Sequence, residues 1–449
     1  MLSRGGQQFG GIRGGGGGSG VSAAAWGSLA TPQPRPSWWQ GLSPRTKQSL
    51  LALFALVFVF ALYRLIVPPS AAFNPSSAPP RHHVKQKVLL TGGAGFIGSH
   101  TALALLSRGD DVIIVDEVNN YYDVSQKEAN LRLLQEFVQQ KEEEALRRLP
   151  QETGGAAGAR TKNLAKTPAA GVPPPRLRIH RFDICDREAI AGVFAEEANS
   201  GFPITHICHL AARAGVRPSI EDPDIYVHSN VQGTLVMLDM ARDWNVTNFV
   251  YASSSSVYGG NTKVPFAEED PVDNPVSPYA ATKKATELIA STYNHLYGIP
   301  MAGLRFFTVY GPRGRPDMAP FIFLDRVYRG EKIHRFGDGT TARDYTYIDD
   351  IVQGILASLD RPFKKMEVFN LGNSQTVQLK RLIEVVEEVT GKKALIEEKP
   401  LQPGDVPLTF ADLQKSRRLL DYSPSTDIEE GMRKTFQWYL STRGHKNKK

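Results

Sequence analysis

Tyr279 and Lys283 stand four residues apart in the stretch SPYAATKKA, a spacing that on a helix puts both side chains on one face, one turn from each other. A phenol with a pKa near 10 is a poor base at neutral pH. A neighbouring ammonium favours the phenolate and turns the tyrosine into a proton acceptor for an alcohol oxygen. Upstream, YASSSSVYGG ends an apolar run with four consecutive serines. Ser254 is the hydroxyl expected to share the reacting oxygen with Tyr279. A Tyr-x-x-x-Lys pair arises often by chance, so its meaning depends on what the rest of the chain supplies.

A hydride acceptor is the first requirement. In KVLLTGGAGFIGSH the glycines Gly92, Gly95 and Gly98 fall between an apolar strand, Val88–Leu90, and the start of a helix at Phe96 and Ile97. Such glycines let the backbone turn tightly and approach a pyrophosphate, while the helix N-terminus offers N–H groups and a favourable dipole. The next apolar strand, in DDVIIVDEV, ends at Asp116, eighteen residues after Gly98 and placed to bond the adenosine ribose. A carboxylate there repels the extra phosphate of NADP, so the expected cofactor is NAD. Asp183 and Ile184 after the third strand face the adenine in this reading, and Leu210, Ala211 and Ala212 after the fourth lie beside the cofactor. His209, on the same strand, reads as a satisfied core histidine. Lys283 would also bond the nicotinamide ribose.

The elements that must position these groups alternate. Apolar runs at Arg178–Phe182, His206–Ala211, Phe249–Ser253 and Ala302–Phe306 are separated by helical patterns. This rhythm predicts an α/β fold, a Rossmann-type doubly wound parallel sheet. Residues 84–310 would form the NAD-binding domain, with a low-complexity insertion at 138–175. The more irregular residues 311–440 would form a smaller C-terminal substrate-binding lobe, and 441–449 a basic tail.

The motifs TGGAGFIGSH, HLAARAGVR, ASSSSVYG, SPYAATKKA, LRFFTVYGPRGRPDMA and RDYTYIDD resemble those of the nucleotide-sugar epimerases and dehydratases of the extended short-chain dehydrogenase family, across residues 88–440. They are most similar to the branch acting on UDP-glucuronate. The resemblance implies interconversion of UDP-glucuronate and UDP-galacturonate through a 4-keto intermediate, with NAD held tightly and recycled, and a homodimer built on two helices per subunit. It also implies supply of galacturonate for pectin. In that pattern Gly337 of the FGDG loop and Arg343 lie near the uridine.

Dehydratases place an acid and a base beside the reacting hydroxyl, and decarboxylases of this kind keep a glutamate there. This chain has Ser255 and Ser256, whose hydroxyls can hold a carboxylate without supplying the proton that loss of CO2 would use. Thr308 in FFTVYGP could join them. Arg217, Arg315 and Arg343 are candidates for the phosphates and the acidic sugar, because a guanidinium fork suits both. Asn230, in HSNVQGT, is expected to support the cofactor or the helix of Tyr279. UDP-glucose 4-epimerase and UDP-glucuronate decarboxylase activities remain alternatives. A catalytically silent NAD-binding scaffold would predict loss of Tyr279 or Lys283, and both are present.

The net charge of +7 comes largely from the ends: residues 1–49 carry five basic side chains and no acid. No nucleic-acid partner is therefore expected. Cys185 and Cys208 read as free core thiols, too few for a structural zinc, and no metal site is expected. Residues 50–67, LLALFALVFVFALYRLIV, just reach the roughly 17-residue minimum for a membrane span. With a basic cytoplasmic tail before it and a Pro/Ser-rich linker, 68–83, after it, this is a type II anchor by the positive-inside rule. The anchor is similar to that of plant Golgi members of the family, which implies a lumenal catalytic domain. Asn245 would then be a glycosylation acceptor.

Overall fold

The computed structural model describes residues 84–147, 173–401 and 406–442, with Ser43 ahead of them. The expected anchor at 50–67, the linker, the C-terminal tail from 443 and most of the insertion lie outside the described residues. Among the described residues no helix is long and apolar enough to cross a membrane.

The order of elements is β1 (Lys87–Thr91), α1 (Phe96–Ser107), β2 (Asp111–Val115), α2 (Val124–Arg147), β3 (Leu177–His180), α3 (Arg187–Asn199), β4 (His206–His209), α4 (Gly233–Asp243), β5 (Asn248–Ser254), α5 (Pro278–Tyr297) and β6 (Met301–Phe306). After these come β7 (Thr308–Tyr310), α6 (Ala319–Arg329), β8 (Lys332–Phe336), β9 (Ala342–Tyr347), α7 (Ile348–Leu359), β10 (Glu367–Leu371), β11 (Thr376–Gln378), α8 (Leu379–Thr390), β12 (Leu395–Lys399), α9 (Gln414–Leu420) and α10 (Ile428–Thr442). Seven strands form one sheet in the order β10-β6-β5-β4-β1-β2-β3, every pairing parallel. Strands buried on both faces read as continuous apolar runs, and Val88, Leu89 and Leu90 are wholly buried with Ile113 and Ile114 beside them. The order reverses between β1 and β4, so the crevice beyond their carboxyl ends is the expected ligand site of this architecture.

Two expectations change in detail. The insertion expected from residue 138 begins later, because α2 runs on to Arg147 with Leu131, Leu134 and Val138 buried against the core. Nor does the chain break cleanly near 310. It returns at β10 to pair with β6, burying Phe369 and Leu371, and α7 contributes Ile351 and Ile355 to the same core. An open parallel edge at β6 would expose unpaired backbone groups, and β10 covers it.

At the opposite end of the sheet from the crevice, Lys87 Nζ meets Glu197 Oε2 at 2.6 Å, both residues buried, and Ser200 Oγ at 3.1 Å. Breaking a buried pair costs up to about 3–5 kcal/mol, an upper bound here because the half-exposed Arg178 also lies 3.1 Å from Glu197 Oε1. We therefore expect Lys87→Ala to lose up to that much stability in chemical denaturation. Cofactor affinity of the folded protein, measured at the far end of β1, should not change.

Candidate active site

The glycine turn is shaped by close approaches. Gly92 has φ +74°, and a Cβ there would lie 2.8 Å from the Ala211 nitrogen, so the ends of β1 and β4 touch through a position that tolerates no side chain. A Cβ on Gly98 would fall 2.0 Å from the Gly92 carbonyl oxygen. Gly95 caps α1 with no side-chain acceptor, which leaves the first-turn amides without a competing cap. Phe96, Ile97, Ile184, Leu210, Ala211 and Ala212 line the adjoining cavity with these glycines. The backbone cradle, the helix end and the apolar wall fit a dinucleotide.

Asp116 lines the same cavity, one residue beyond β2, but its oxygens already accept backbone N–H groups from Ala94 at 3.0 Å and Val118 at 2.8 Å. Burial pushes its pKa up, against those bonds and nearby Lys127. It thus braces the glycine turn from the wall of the cavity. Asp183 is half-exposed, bonded to Cys185 N at 2.9 Å and His228 Nε2 at 2.8 Å. Burial raises its pKa, but the bonds from Cys185 and His228 outweigh it and the carboxyl stays below its usual range. His209 sits between Thr91 Oγ1 at 2.8 Å and Thr234 Oγ1 at 3.1 Å. Burial and the charge of Lys283 lower its pKa to about 3, so it is a neutral, satisfied core residue. Cys185 and Cys208 are both free thiols.

Helix α5 starts with Ser277 as its N-cap and Pro278 at its first turn, which fixes where Tyr279 begins the helix. Ser219 Oγ accepts the Tyr279 N–H at 3.1 Å. Tyr279 is 9% exposed, hydrogen-bonded through its hydroxyl to Ser254, and edge-on to Tyr226 at 6.1 Å. Burial pushes the phenol pKa up, while the Ser254 hydroxyl and the Arg315 guanidinium pull it back. The structure adds a partner for Lys283 that spacing does not show. Lys283 turns its ammonium to the Ala252 carbonyl, 2.9 Å away at the end of β5, and burial lowers its pKa to about 8. The side chain satisfies a strand-end acceptor, and the Arg315 guanidinium is a second cation that favours the phenolate.

Arg315 is held by Asp317, with Nε–Oδ1 at 3.0 Å and Nη2–Oδ2 at 2.5 Å, and by the Ala214 carbonyl at 3.2 Å. It lies 5.5 Å over the ring of Tyr121. Burial opposes its charge, but the Asp317 carboxylate more than compensates and holds its pKa above the usual value. Ser255 and Ser256 form a one-turn 3₁₀ helix directly after β5, and Thr308 opens β7. All three face the cavity, a space of about 800 Å³ that also reaches Arg217 and Arg343. Arg217 lies 4.6 Å over the Phe336 ring, and Arg343 donates to the Ala342 carbonyl at 2.9 Å.

Two expected residues lie off the cavity surface. Gly337 is not among its lining residues; its φ of +72° makes the turn after β8, where a Cβ would meet Leu401 at 2.8 Å, and the wall is made by Phe336 and Leu401 instead. Asn230 is buried behind it. Its side chain accepts from Arg213 N at 2.8 Å and donates to Arg213 O and Thr282 Oγ1, both at 3.0 Å, and so ties the loop after β4 to α5. Its role here is support of the helix, not contact with a cofactor. Sequence reasoning missed Tyr121, which donates to the Ala214 carbonyl and also lies under Arg213. The paired aromatics in NNYYD, soon after Asp116, were the available signal. It also missed Asp344, buried next to Arg343, which gathers the backbone amides of Asn373, Ser374 and Ala411.

A family model described as "NAD dependent epimerase/dehydratase family" matches residues 88–372. UDP-glucuronate 4-epimerase 4 of Arabidopsis thaliana is 43% identical, over 79% of this chain and 75% of its own length. UDP-glucuronate 4-epimerase of Thermodesulfobacterium geofontis is 40% identical, over 78% and 95%. Among solved structures, UDP-glucuronic acid 4-epimerase from Bacillus cereus in complex with UDP-glucuronic acid and NAD has a TM-score of 0.65 at 30% identity, covering 79% of this chain and 99% of that one. With its parallel sheet, glycine crevice and tyrosine–lysine helix, this chain belongs to the NAD dependent epimerase/dehydratase family.

Proposed function

We propose that this chain is a UDP-glucuronate 4-epimerase, interconverting UDP-glucuronate and UDP-galacturonate. The observation that carries the reading is a single cavity uniting the glycine turn, the Tyr279–Ser254 pair and a wall of hydroxyls, Ser255, Ser256 and Thr308, with no carboxylate among those three. The similarity to acid-sugar epimerases supports the same substrate.

NAD bound in the crevice supplies a reversible hydride acceptor for C4. Tyr279 takes the O4 proton, sharing that oxygen with Ser254, and returns it after the sugar has presented its other face. Lys283 holds the helix against β5 and offers its ammonium to the nicotinamide ribose. Ser255, Ser256 and Thr308 hold the C6 carboxylate. The 4-keto intermediate is a β-keto acid, prone to lose CO2, and hydroxyls that fix the carboxylate without donating a proton to the sugar protect it. Arg217, Arg315 and Arg343 supply cations for the pyrophosphate and the acid.

Hydrogen bonds to a charged group contribute about 1.5–3 kcal/mol each. Changing Ser255 and Ser256 together to alanine, a loss of two such bonds, should therefore raise KM for UDP-glucuronate about a hundredfold or more. UDP-glucose, lacking the carboxylate, should be insensitive to the change. The function itself is tested by incubating residues 84–449 with UDP-glucuronate and following products by NMR: UDP-galacturonate supports it, UDP-xylose as the product points to a decarboxylase, and turnover of UDP-glucose alone overturns the acid-sugar reading.

Residues 50–67 are proposed as the anchor of a single-pass type II Golgi protein with a lumenal catalytic domain, on the strength of that apolar run and its basic flank. Supply of galacturonate for pectin is consistent with that placement. A homodimer through α4 and α5 is supported by the exposed apolar side chains Leu235, Leu288 and Leu296.

A further inference from the structure

Three successive residues at the end of β5 are each tied to a different residue of α5. Ala252 O accepts from Lys283, Ser253 Oγ donates to Glu287 Oε1 at 2.6 Å, and Ser254 bonds Tyr279. Tyr279, Lys283 and Glu287 are spaced four apart, so they share one face of the helix. Two members of this set touch the reaction described above, and Glu287 does not.

Glu287 is 4% exposed and pairs with Arg305 of β6, 3% exposed, through a two-pronged contact: Nε–Oε1 at 2.8 Å and Nη2–Oε2 at 2.9 Å. The remaining arm of Arg305 donates to the Tyr258 hydroxyl at 3.0 Å, and that hydroxyl donates to Asn370 Oδ1 of β10 at 2.7 Å. Tyr258 is the last residue of the 3₁₀ turn that bears Ser255 and Ser256. One buried network thus joins the helix carrying the proton acceptor to the turn carrying the hydroxyls. Apolar side chains of similar volume would often stabilise such a site equally well, because burying an ion pair costs desolvation. What the fork adds is direction: a planar guanidinium bonded on three sides permits little rotation of α5 against the turn.

We propose that Glu287 and Arg305, acting through Tyr258, are positioning residues that hold Tyr279 in register with the hydroxyl turn, so that proton transfer at O4 and retention of the C6 carboxylate occur in one fixed geometry. The inference rests on the acid-sugar reading above. When the register loosens, the 4-keto intermediate decarboxylates: the C5–C6 bond breaks, CO2 leaves, its electron pair enters the C4 carbonyl as an enolate, and C5 takes a proton from water.

The test uses the full chain, with Tyr258→Phe and the charge-free pair Glu287→Gln/Arg305→Met, given UDP-glucuronate labelled with ¹³C at C6. Tyr258→Phe keeps the ring stacked 4.6 Å from Phe266 and removes only the linking hydroxyl. Small misplacements of reacting groups cost up to about 100-fold. We expect kcat to fall about 10- to 100-fold in both variants. KM should rise less than in the Ser255→Ala/Ser256→Ala protein, because the hydroxyls remain. Labelled CO2 should appear in place of part of the UDP-galacturonate. Unchanged kcat and no CO2 from Tyr258→Phe overturn the proposal, whether or not the double variant folds. A wild-type protein that makes no UDP-galacturonate removes the functional reading first, and the proposal with it.

Discussion

Replacing Tyr279 with phenylalanine should lower epimerisation about 10³-fold, within the range that a positioned acid–base group supplies. The ring keeps its edge contact with Tyr226 and its place under the N-cap of α5, so the fold should persist. Only the hydroxyl that bonds Ser254 is lost. NAD should remain bound, since Tyr279 stands apart from the glycine cradle, and cofactor content after gel filtration checks this. Because burial raises the phenol and the Arg315 guanidinium with the Ser254 hydroxyl only partly offsets it, wild-type kcat should rise with pH as the phenolate forms. The phenylalanine variant should lack that rise. Retained turnover in the variant would refute the role given to Tyr279.

The second large effect concerns Gly98. A methyl group there would lie 2.0 Å from the Gly92 carbonyl oxygen, and that atom is backbone, so the turn must move. Moving it withdraws the amides at the start of α1 from the pyrophosphate. Two lost bonds to a charged group, at about 1.5–3 kcal/mol each, correspond to about a hundredfold or more in affinity. Gly98→Ala should therefore emerge from purification depleted of NAD and show weak binding by titration, independently of any turnover assay. Gly192 in α3 serves as the control, since a Cβ there meets nothing within 4 Å. Gly192→Ala should bind NAD normally and gain up to about 1 kcal/mol of stability. Equal NAD affinity in Gly98→Ala and wild type would contradict the cradle.

Much of the frame was legible from local signals. The glycine turn, the strand–helix rhythm and the Tyr279–Lys283 spacing are short-range features, and the strands fall within a few residues of the expected places. The returns of the chain were not legible. β10 pairs with β6 across more than sixty residues, and no local periodicity records which edge a strand will cover. The direction of charged side chains was equally hidden. Spacing brought Lys283 near Tyr279 but could not show that the Ala252 carbonyl would take its ammonium, nor that the Arg315 guanidinium, arriving from the loop after β7, would also favour the phenolate. Gly337 and Asn230 carried the right motifs and proved to support the wall and the helix from behind, a distinction between lining and bracing that depends on three-dimensional packing.

The central claim is that C4 loses and regains the same hydride inside one closed site while C6 is kept. Deuterium at C4 of UDP-glucuronate tests it most directly. The account predicts UDP-galacturonate that retains the deuterium at C4, with none released to water and no CO2 evolved. Loss of the label to solvent, or a labelled UDP-pentose as the main product, would contradict it.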